Sequence, residues 1–249
     1  MCMHGAPGMK AVRILLTIAA LRKHLAGVYD ITAAFIHAAV EELIIVCPGA
    51  GSGLVPAGYG LLLLKALYGT RRASKSWQNF YTNVLCENGW TRSKVFAACF
   101  FRPQSKTDEG ATLLVHGDDI LLEGDQATHD ETDELLKKNM NVKILHKLGP
   151  GKPGEGKFLK RTLSYDHELP GFTLEGDHRH VYEAAVAVGL MERGGFPSKG
   201  SETPGSKAVG AGPDSDEKLD EEQAASYRRA AGILMYIILD RPDAQYSGE

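Results

Sequence analysis

The spacing of apolar residues along the chain predicts several helices. In residues 11–25, 74–88 and 128–140, apolar side chains recur at every third or fourth position, the repeat of one helix face, with polar side chains between them. We expect two further helices at residues 33–42 and 221–239. The chain should therefore bury a substantial part of its apolar surface beneath amphipathic helices.

Short apolar runs between these helices predict strands. They are a run that leads into Asp30, residues 43–47, a short buried strand at residues 61–64, and residues 96–102, 111–116 and 120–123. Helices and antiparallel hairpins are interspersed without a strict alternation, which favours the α+β class over a doubly wound parallel sheet. Residues 48–60 and 149–156 are predicted loops, and residues 194–216, rich in Gly, Pro and Ser, are predicted to be mobile.

Two adjacent aspartates, Asp118 and Asp119, lie where two apolar strands meet in a predicted hairpin turn. Like charges side by side next to apolar surface repel each other, and a divalent cation would remove that penalty. A third aspartate, Asp30, ends another strand-like run. Folding could therefore gather three carboxylates from two strands, and Mg²⁺ prefers such hard oxygen ligands.

Each of these features also has a simpler interpretation. Asp and Gly are common turn formers, so Gly117, Asp118 and Asp119 alone are more often a solvated hairpin tip than a metal site. Phe35 and Trp77 taken singly are most simply core residues, and a basic cluster is usually a solvated face. Their joint order along the chain is what favours a functional site.

Composition and charge narrow the classes of function. The 249 residues, 43% hydrophobic and 24% charged, are typical of a globular protein, and no apolar stretch reaches the roughly 20 residues of a membrane span, so no membrane partner is expected. The four cysteines are widely spaced, which argues against a zinc knuckle and indicates reduced, mostly buried thiols. A net charge of −3 is a poor match for binding nucleic acid by charge alone.

Basic residues are nevertheless concentrated locally. One cluster precedes Trp77, and a second follows the acidic hairpin. The first consists of Lys65, Arg71, Arg72 and Lys75, and the second of Lys137, Lys138, Lys143 and Lys147. Such clusters suit contacts to phosphate groups.

Read together, these runs resemble the reverse transcriptase domain of copia-type LTR retrotransposons. That family has a D-V-x-x-A-F segment, then K-x-A-L-Y-G-L-x-Q-A-P-x-x-W, then a Y-V-D-D hairpin. The corresponding residues here are 30–35, 65–77 and 116–119. Thr203-Pro204 and residues 227–243 resemble later T-P and Y-R-x-x-V-G-x-L-x-Y…R-P-D signatures. Each motif is weak alone, but five in the family's order are a strong signal.

The resemblance implies an RNA-directed DNA polymerase with two Mg²⁺ ions, for which Mn²⁺ could substitute. Asp30, Asp118 and Asp119 would be both the catalytic and the metal-binding residues. Phe35 would be a steric gate whose ring excludes the 2′-hydroxyl of ribonucleotides. The remaining implied nucleotide-binding residues are Ile31 through its carbonyl, Ala34 through its backbone, and Arg71, Arg72 and Lys75.

The resemblance also implies an architecture and partners. Residues 1–160 would form partial fingers and the palm of a right-hand polymerase, an antiparallel sheet with packed helices. Residues 161–249 would form a thumb-like or connection-like part, with a mobile linker at about 194–220. Expected partners are an RNA or DNA template with its primer, deoxynucleoside triphosphates, and the integrase and RNase H of the polyprotein. The expected location is cytoplasmic, in a virus-like particle, or nuclear.

Departures from the family pattern define the alternatives. His116 and Gly117 replace the usual Tyr-Val, Arg72 stands at the Gln and Ser74 at the Pro, and the N-terminal fingers strands are expected to be absent. The alternative is therefore a truncated, catalytically inactive retrotransposon remnant with a palm fold and residual nucleic-acid binding. A third hypothesis, an RNA-dependent RNA polymerase, is disfavoured because Phe35 would exclude ribonucleotides.

Overall fold

A computed structural model describes residues 8–49, 51–56, 58–105, 109–187, 189, 220–238 and 240. The predicted mobile segment 194–216, Thr203-Pro204 and residues 241–243 lie outside the described residues, as does the linker predicted at about 194–220 apart from Asp220. No helix in the described ranges is long and apolar enough to cross a membrane.

The described chain combines α-helices with antiparallel strands, which confirms the predicted α+β class in this general form. The helices are α1 (Met9–Arg22), α2 (Ala73–Glu87), α3 (Gln126–Asn139), α4 (Arg179–Ala187) and α5 (Glu221–Ile237). The strands are β1 (Leu25–Ile31), β2 (Ile45–Val46), β3 (Leu61–Leu62), β4 (Thr91–Arg92), β5 (Cys99–Arg102), β6 (Ala111–His116), β7 (Asp119–Gly124), β8 (Val142–Leu148), β9 (Glu155–Phe158), β10 (Arg161–Asp166) and β11 (Gly171–Glu175).

The main sheet has six strands in the order β4-β5-β6-β7-β1-β8. Its pairs are antiparallel, and β1 lies between β7 and β8. A three-stranded sheet has the order β11-β10-β9, and β2 pairs with β3 in a two-stranded ribbon. Strand β1, which carries Asp30 as its next-to-last residue, is thus held on both sides and lies next to the hairpin formed by β6 and β7.

One face of the six-stranded sheet packs against α2 and α3. Successive strand residues point to opposite faces, so every second residue of β1, β6 and β7 enters this core. The buried strand residues of the cluster include Tyr29, Ile31, Leu113, Val115, Ile120 and Leu122, and the helices contribute Trp77, Tyr81, Leu85 and Leu136. Alternation therefore places Asp30 and Asp119 on the opposite face from this cluster.

Two buried polar networks hold β1 in place. At its start, His24 is 2% exposed and lies 2.6 Å from Glu123 and 2.7 Å from Glu109. Near its end, the Tyr29 hydroxyl is 2.9 Å from His129 Nδ1 and donates to Asp133 at 2.9 Å. Buried polar groups are stable only when they are paired in this way.

The second network links β1 to α3 and β8. Lys147 Nζ donates to the other Asp133 carboxylate oxygen at 2.8 Å. Burial lowers the pKa of His129 to about 4, so its ring is neutral near pH 7. Burial, followed by the charge of Asp133, raises the pKa of Tyr29. The residue before Asp30 is therefore fixed by packing and by hydrogen bonds.

Several local expectations are wrong. The helix predicted at residues 33–42 is only a 3₁₀ helix, Ala34–His37, because Ala33 is left-handed (φ 53°) and Ala38 is extended. The strand predicted as buried at residues 61–64 is exposed, with Leu62 at 53% and Leu64 at 73%. Cys47 and Cys86 are exposed rather than buried. Short apolar runs cannot by themselves distinguish core from surface.

The described residues fall into two compact units. The first comprises those up to Leu159 together with Leu163–Thr173, and the second comprises Lys160–Thr162 and those from Leu174 onward. In the second unit α4 packs against α5, and Arg161 forms a 2.7 Å ion pair with Asp240. The side chains of both charged residues are only 4% exposed. The candidate site described next lies entirely within the first unit.

Candidate functional site

The hairpin between β6 and β7 has a two-residue turn, Gly117 and Asp118, closed by the pair His116 and Asp119. Gly117 has a φ of +66°, whereas Asp118 does not have a positive φ. A positive φ at only the first central residue is the pattern of a type II′ turn, which favours Gly at that position. The turn therefore explains Gly117 and sets the two aspartates at the tip.

The structure brings Asp30 to this hairpin. Asp30 lies directly opposite Asp119 in the register between β1 and β7, and the Ile31 amide donates to the Asp118 carbonyl at 2.9 Å. Directly opposite residues of an antiparallel pair share one face, with Cβ atoms roughly 5 Å apart. The three aspartates predicted from the sequence thus lie at the same end of the sheet.

Like charges dominate the electrostatics of this corner. Burial raises the pKa of the Asp119 carboxyl, and the negative charges of Asp118 and Asp30 raise it further. His116 acts in the opposite direction. Asp30 and Asp119 are half-buried, and Asp118 is exposed. A cation bound here would relieve repulsion that the folded chain otherwise retains.

Among the residues that the structure describes, no three carboxylate, imidazole or thiolate side chains are gathered closely enough to hold a metal ion. The aspartates share a strand end, but they do not converge on one point. Their chemistry nevertheless fits Mg²⁺, since all three offer hard carboxylate oxygens.

Phe35 and Tyr68 form an aromatic pair beside the aspartates. The ring centroids are 4.2 Å apart, and Phe35 is half-buried in the 3₁₀ helix while Ala34 is 1% exposed. Desolvation, followed by the charges of Asp118 and Asp30, raises the pKa of Tyr68. Tyr68 was not among the predicted site residues, although it belongs to the K-A-L-Y-G run.

The predicted phosphate-binding residues lie together in space. Arg71 and Arg72 immediately precede α2, and Lys75 is in its first turn; all three are exposed. Arg72 Nε is 2.6 Å from Glu42 Oε1. An exposed surface ion pair of this kind contributes little stability, so Arg72 remains accessible to a competing anion.

Trp77 connects α2 to the hairpin. It is 2% exposed, as expected for a core residue, but its indole N–H also donates to the Gly117 carbonyl at 2.7 Å. The prediction of Trp77 as a core residue is therefore confirmed, whereas its hydrogen bond to the hairpin was not predicted. The sequence did single out Trp77, since it is the last residue of the longest of the quoted motifs.

Lys143 is a second residue that the sequence interpretation did not place at the site. It lies opposite Asp30 in the register between β1 and β8. Asp30 is therefore flanked across the sheet by Asp119 on one side and by the exposed Lys143 on the other. Only the folded register could reveal this row of charges.

The match to a known family covers this sheet and its helices. Residues 6–150, more than half of the chain, match the family model described as Reverse transcriptase (RNA-dependent DNA polymerase). No curated protein and no solved structure matches the chain. The three aspartates, the aromatic pair and the start of α2 all lie within the matched residues, and on this match the chain belongs to the reverse transcriptase family.

Proposed function

We propose that this chain is an RNA-directed DNA polymerase domain of a copia-type retrotransposon. The single observation that carries the proposal is the position of Asp30 directly opposite Asp119, with Asp118 beside them at the hairpin tip. The family match supports the reverse transcriptase class, and the five quoted motifs support the copia type. The reaction would add deoxynucleotides to a primer 3′ end.

In this proposal the six-stranded sheet with α2 and α3 is the polymerase palm. The ribbon of β2 and β3, with the segments around it, would belong to the partial fingers, and α4 and α5 would belong to the thumb-like part. The position of the aspartates supports the palm assignment. Asp30 and Asp119 lie at one end of their strands, on the face of the sheet opposite to the face that packs against α2 and α3. On the aspartate face α1 packs against β1 and β7, where Val28 and Leu121 are fully buried, so a duplex could approach this face only at the end that carries the aspartates.

Asp30, Asp118 and Asp119 would hold two Mg²⁺ ions, with the Ile31 carbonyl as a further ligand. Bound magnesium would lower the pKa of the primer 3′-hydroxyl and neutralise charge on the leaving pyrophosphate. The chain itself contributes fixed positions, since the Ile31 amide and the Trp77 indole both anchor the hairpin backbone. The raised pKa of Asp119 supports a site that gains from cation binding.

Phe35 would select deoxynucleotides by steric exclusion of the 2′-hydroxyl. Its ring packs on Tyr68, and the charges of Asp118 and Asp30 act on Tyr68, so the aromatic pair is close to the proposed metal site. Ala34 would let the backbone approach the triphosphate. Arg71, Arg72 and Lys75 would contact phosphates of the template or nucleotide by charge.

The proposed partners follow from this reaction. They are a template with its primer, deoxynucleoside triphosphates, and the other domains of a retrotransposon polyprotein, integrase and RNase H. The proposed setting is a cytoplasmic virus-like particle or the nucleus. Net charge of −3 means that template binding must depend on local basic residues, so binding should weaken steeply with salt.

Primer extension on a poly-ribonucleotide template with Mg²⁺ tests the proposal. Wild-type protein should incorporate deoxynucleotides, Asp118→Asn should abolish incorporation, and Glu134→Gln, which removes one exposed negative charge from α3, should leave it unchanged. Loss of incorporation in both variants, or in neither, would contradict the assigned role of Asp118.

The inactive remnant is the second candidate, favoured by the aspartates' failure to converge on one point among the described residues. It predicts a folded wild-type protein that binds primer–template without extending it. Fluorescence anisotropy of a labelled primer–template, measured on the same preparation as the extension assay, separates the two candidates. Extension by wild-type protein would exclude the remnant.

A further inference from the structure

The peptide groups on both sides of Asp118 are each anchored by a donor from a different element. The Gly117 carbonyl accepts from the Trp77 indole of α2 at 2.7 Å. The Asp118 carbonyl accepts from the Ile31 amide of β1 at 2.9 Å. Because each peptide group is planar, fixing both planes fixes the direction in which the Asp118 side chain leaves the backbone.

This anchoring matters more here because the turn contains glycine. The peptide between Gly117 and Asp118 is the central peptide of the turn, and its rotation interconverts type II′ and type I′ turns. Glycine accepts a positive φ without strain, and Asp tolerates it better than most residues, so this sequence permits both types. Sterics alone therefore do not select one direction for Asp118.

The Trp77 indole is itself held rigidly. Its ring packs edge-on against Tyr81 with centroids 5.3 Å apart, and it stacks on Phe80 at 5.8 Å. Trp77 is 2% exposed, so the indole cannot rotate to follow a moving carbonyl. The bond is made only when the central peptide directs its carbonyl toward α2.

We propose that Trp77 is a positioning residue whose indole N–H selects the type II′ turn and thereby directs the Asp118 carboxylate toward the cation site. The consequence for cation binding rests on the proposed function, whereas the selection of the turn does not. Trp77 acts through Gly117 and touches no substrate. The side chain that ends the longest motif would then set the geometry of the catalytic hairpin.

Trp77→Phe tests this inference, since phenylalanine keeps most of the ring packing and lacks the donor. Trp90→Phe is the matched control, because Trp90 is the chain's other tryptophan and is also buried, at 3% exposure. The three-bond NMR coupling between the Gly117 carbonyl ¹³C and the Asp118 α proton reports the φ of Asp118, since it is small at negative φ and large at positive φ. We expect Trp77→Phe to shift this coupling toward an average of two turn types and Trp90→Phe to leave it unchanged.

Mn²⁺ binding, followed by electron paramagnetic resonance without substrate, gives the second measurement. Loss of one anchoring hydrogen bond should weaken Mn²⁺ binding roughly three- to tenfold in Trp77→Phe and not in Trp90→Phe. Unchanged Asp118 coupling in folded Trp77→Phe would overturn the proposal. A shifted coupling with no Mn²⁺ binding by wild-type protein would instead contradict the proposed function and leave the turn selection standing.

The wild-type protein supplies a check if Trp77→Phe does not fold. A hydrogen bond of this length transmits a scalar coupling from the indole ¹⁵N to the carbonyl ¹³C of Gly117. Detection of that coupling for Trp77 supports the anchor in solution. Its absence, in a spectrum that shows comparable couplings within the sheet, would overturn the proposal.

Discussion

Removing the charge of Asp119 should stabilise the protein in the absence of metal. Asp119 is half-buried and lies opposite Asp30, with Asp118 adjacent in sequence. Asp119→Asn keeps the shape of the side chain and removes one of the like charges. Functional sites commonly retain such repulsion at the expense of stability.

The size of the effect follows from the register. Cβ atoms of directly opposite residues are roughly 5 Å apart. At that separation two unit charges repel by about 1 kcal/mol in a water-like medium and by about 3 kcal/mol at an effective dielectric constant near 20. We therefore expect Asp119→Asn to raise the free energy of unfolding by about 1–2 kcal/mol, which corresponds to a rise in Tm of about 2–8 °C for a unit of this size.

The pH dependence has a defined sign. The pKa of Asp119 is raised in the folded state, so the folded protein binds the proton more tightly than the unfolded chain does. In the wild-type protein, the charge of Asp119 destabilises the fold fully at pH values above its folded-state pKa. This destabilisation disappears as the pH falls below its unfolded-state pKa. The stability difference between Asp119→Asn and wild type should therefore shrink as the solution is acidified.

Urea unfolding followed by tryptophan fluorescence measures this difference. Both tryptophans, Trp77 and Trp90, lie in the unit that contains the site. Glu134→Gln, an exposed charge removal on α3, is the control and should leave the midpoint unchanged. Added Mg²⁺ at tenfold its Kd should stabilise wild type by about 1.4 kcal/mol and Asp119→Asn by less. Equal or lower stability of Asp119→Asn in metal-free buffer would refute the reasoning.

Three further predictions concern the sheet and the aromatic gate. Gly27→Ala should destabilise the protein by about 1–3 kcal/mol, because the new Cβ would lie 2.5 Å from the His129 ring; an unchanged urea midpoint would contradict it. His129, with its pKa lowered to about 4, should make stability fall as the pH drops from about 6.5 toward 4, and His129→Gln should flatten that slope in pH-dependent unfolding. Phe35→Ala should increase ribonucleotide incorporation relative to deoxynucleotide incorporation in primer extension, and an unchanged ratio would exclude the gate.

The sequence predicted the elements that carry strong local signals. The strand into Asp30, the β6–β7 hairpin, α2 and α3 all follow from apolar spacing and turn residues. Each of these elements is defined by a pattern of residues that are close together in the sequence. The three aspartates followed from the same runs, read together with the motif order.

What the sequence did not predict depends on contacts between distant residues. The hydrogen bond from Trp77 to Gly117 joins residues 40 apart, and the pairing of Lys143 with Asp30 depends on strand order. The prediction of a helix at residues 33–42 was wrong because Ala33 takes a left-handed conformation, which an alanine side chain gives no reason to predict. Strand register is set by the whole sheet, and the left-handed conformation of Ala33, which lies outside the sheet, is not set by its own side chain.

The two edge strands of the six-stranded sheet, β4 and β8, limit how a partner can bind to the sheet. β4 is only two residues long, and β8 carries Lys143 and Lys147. Edge strands that are short or that carry lysine resist pairing with a strand of another chain. β-augmentation of this sheet by a peptide or by another copy is therefore disfavoured, and a ligand that approaches it would be recognised by side chains rather than by main-chain hydrogen bonds.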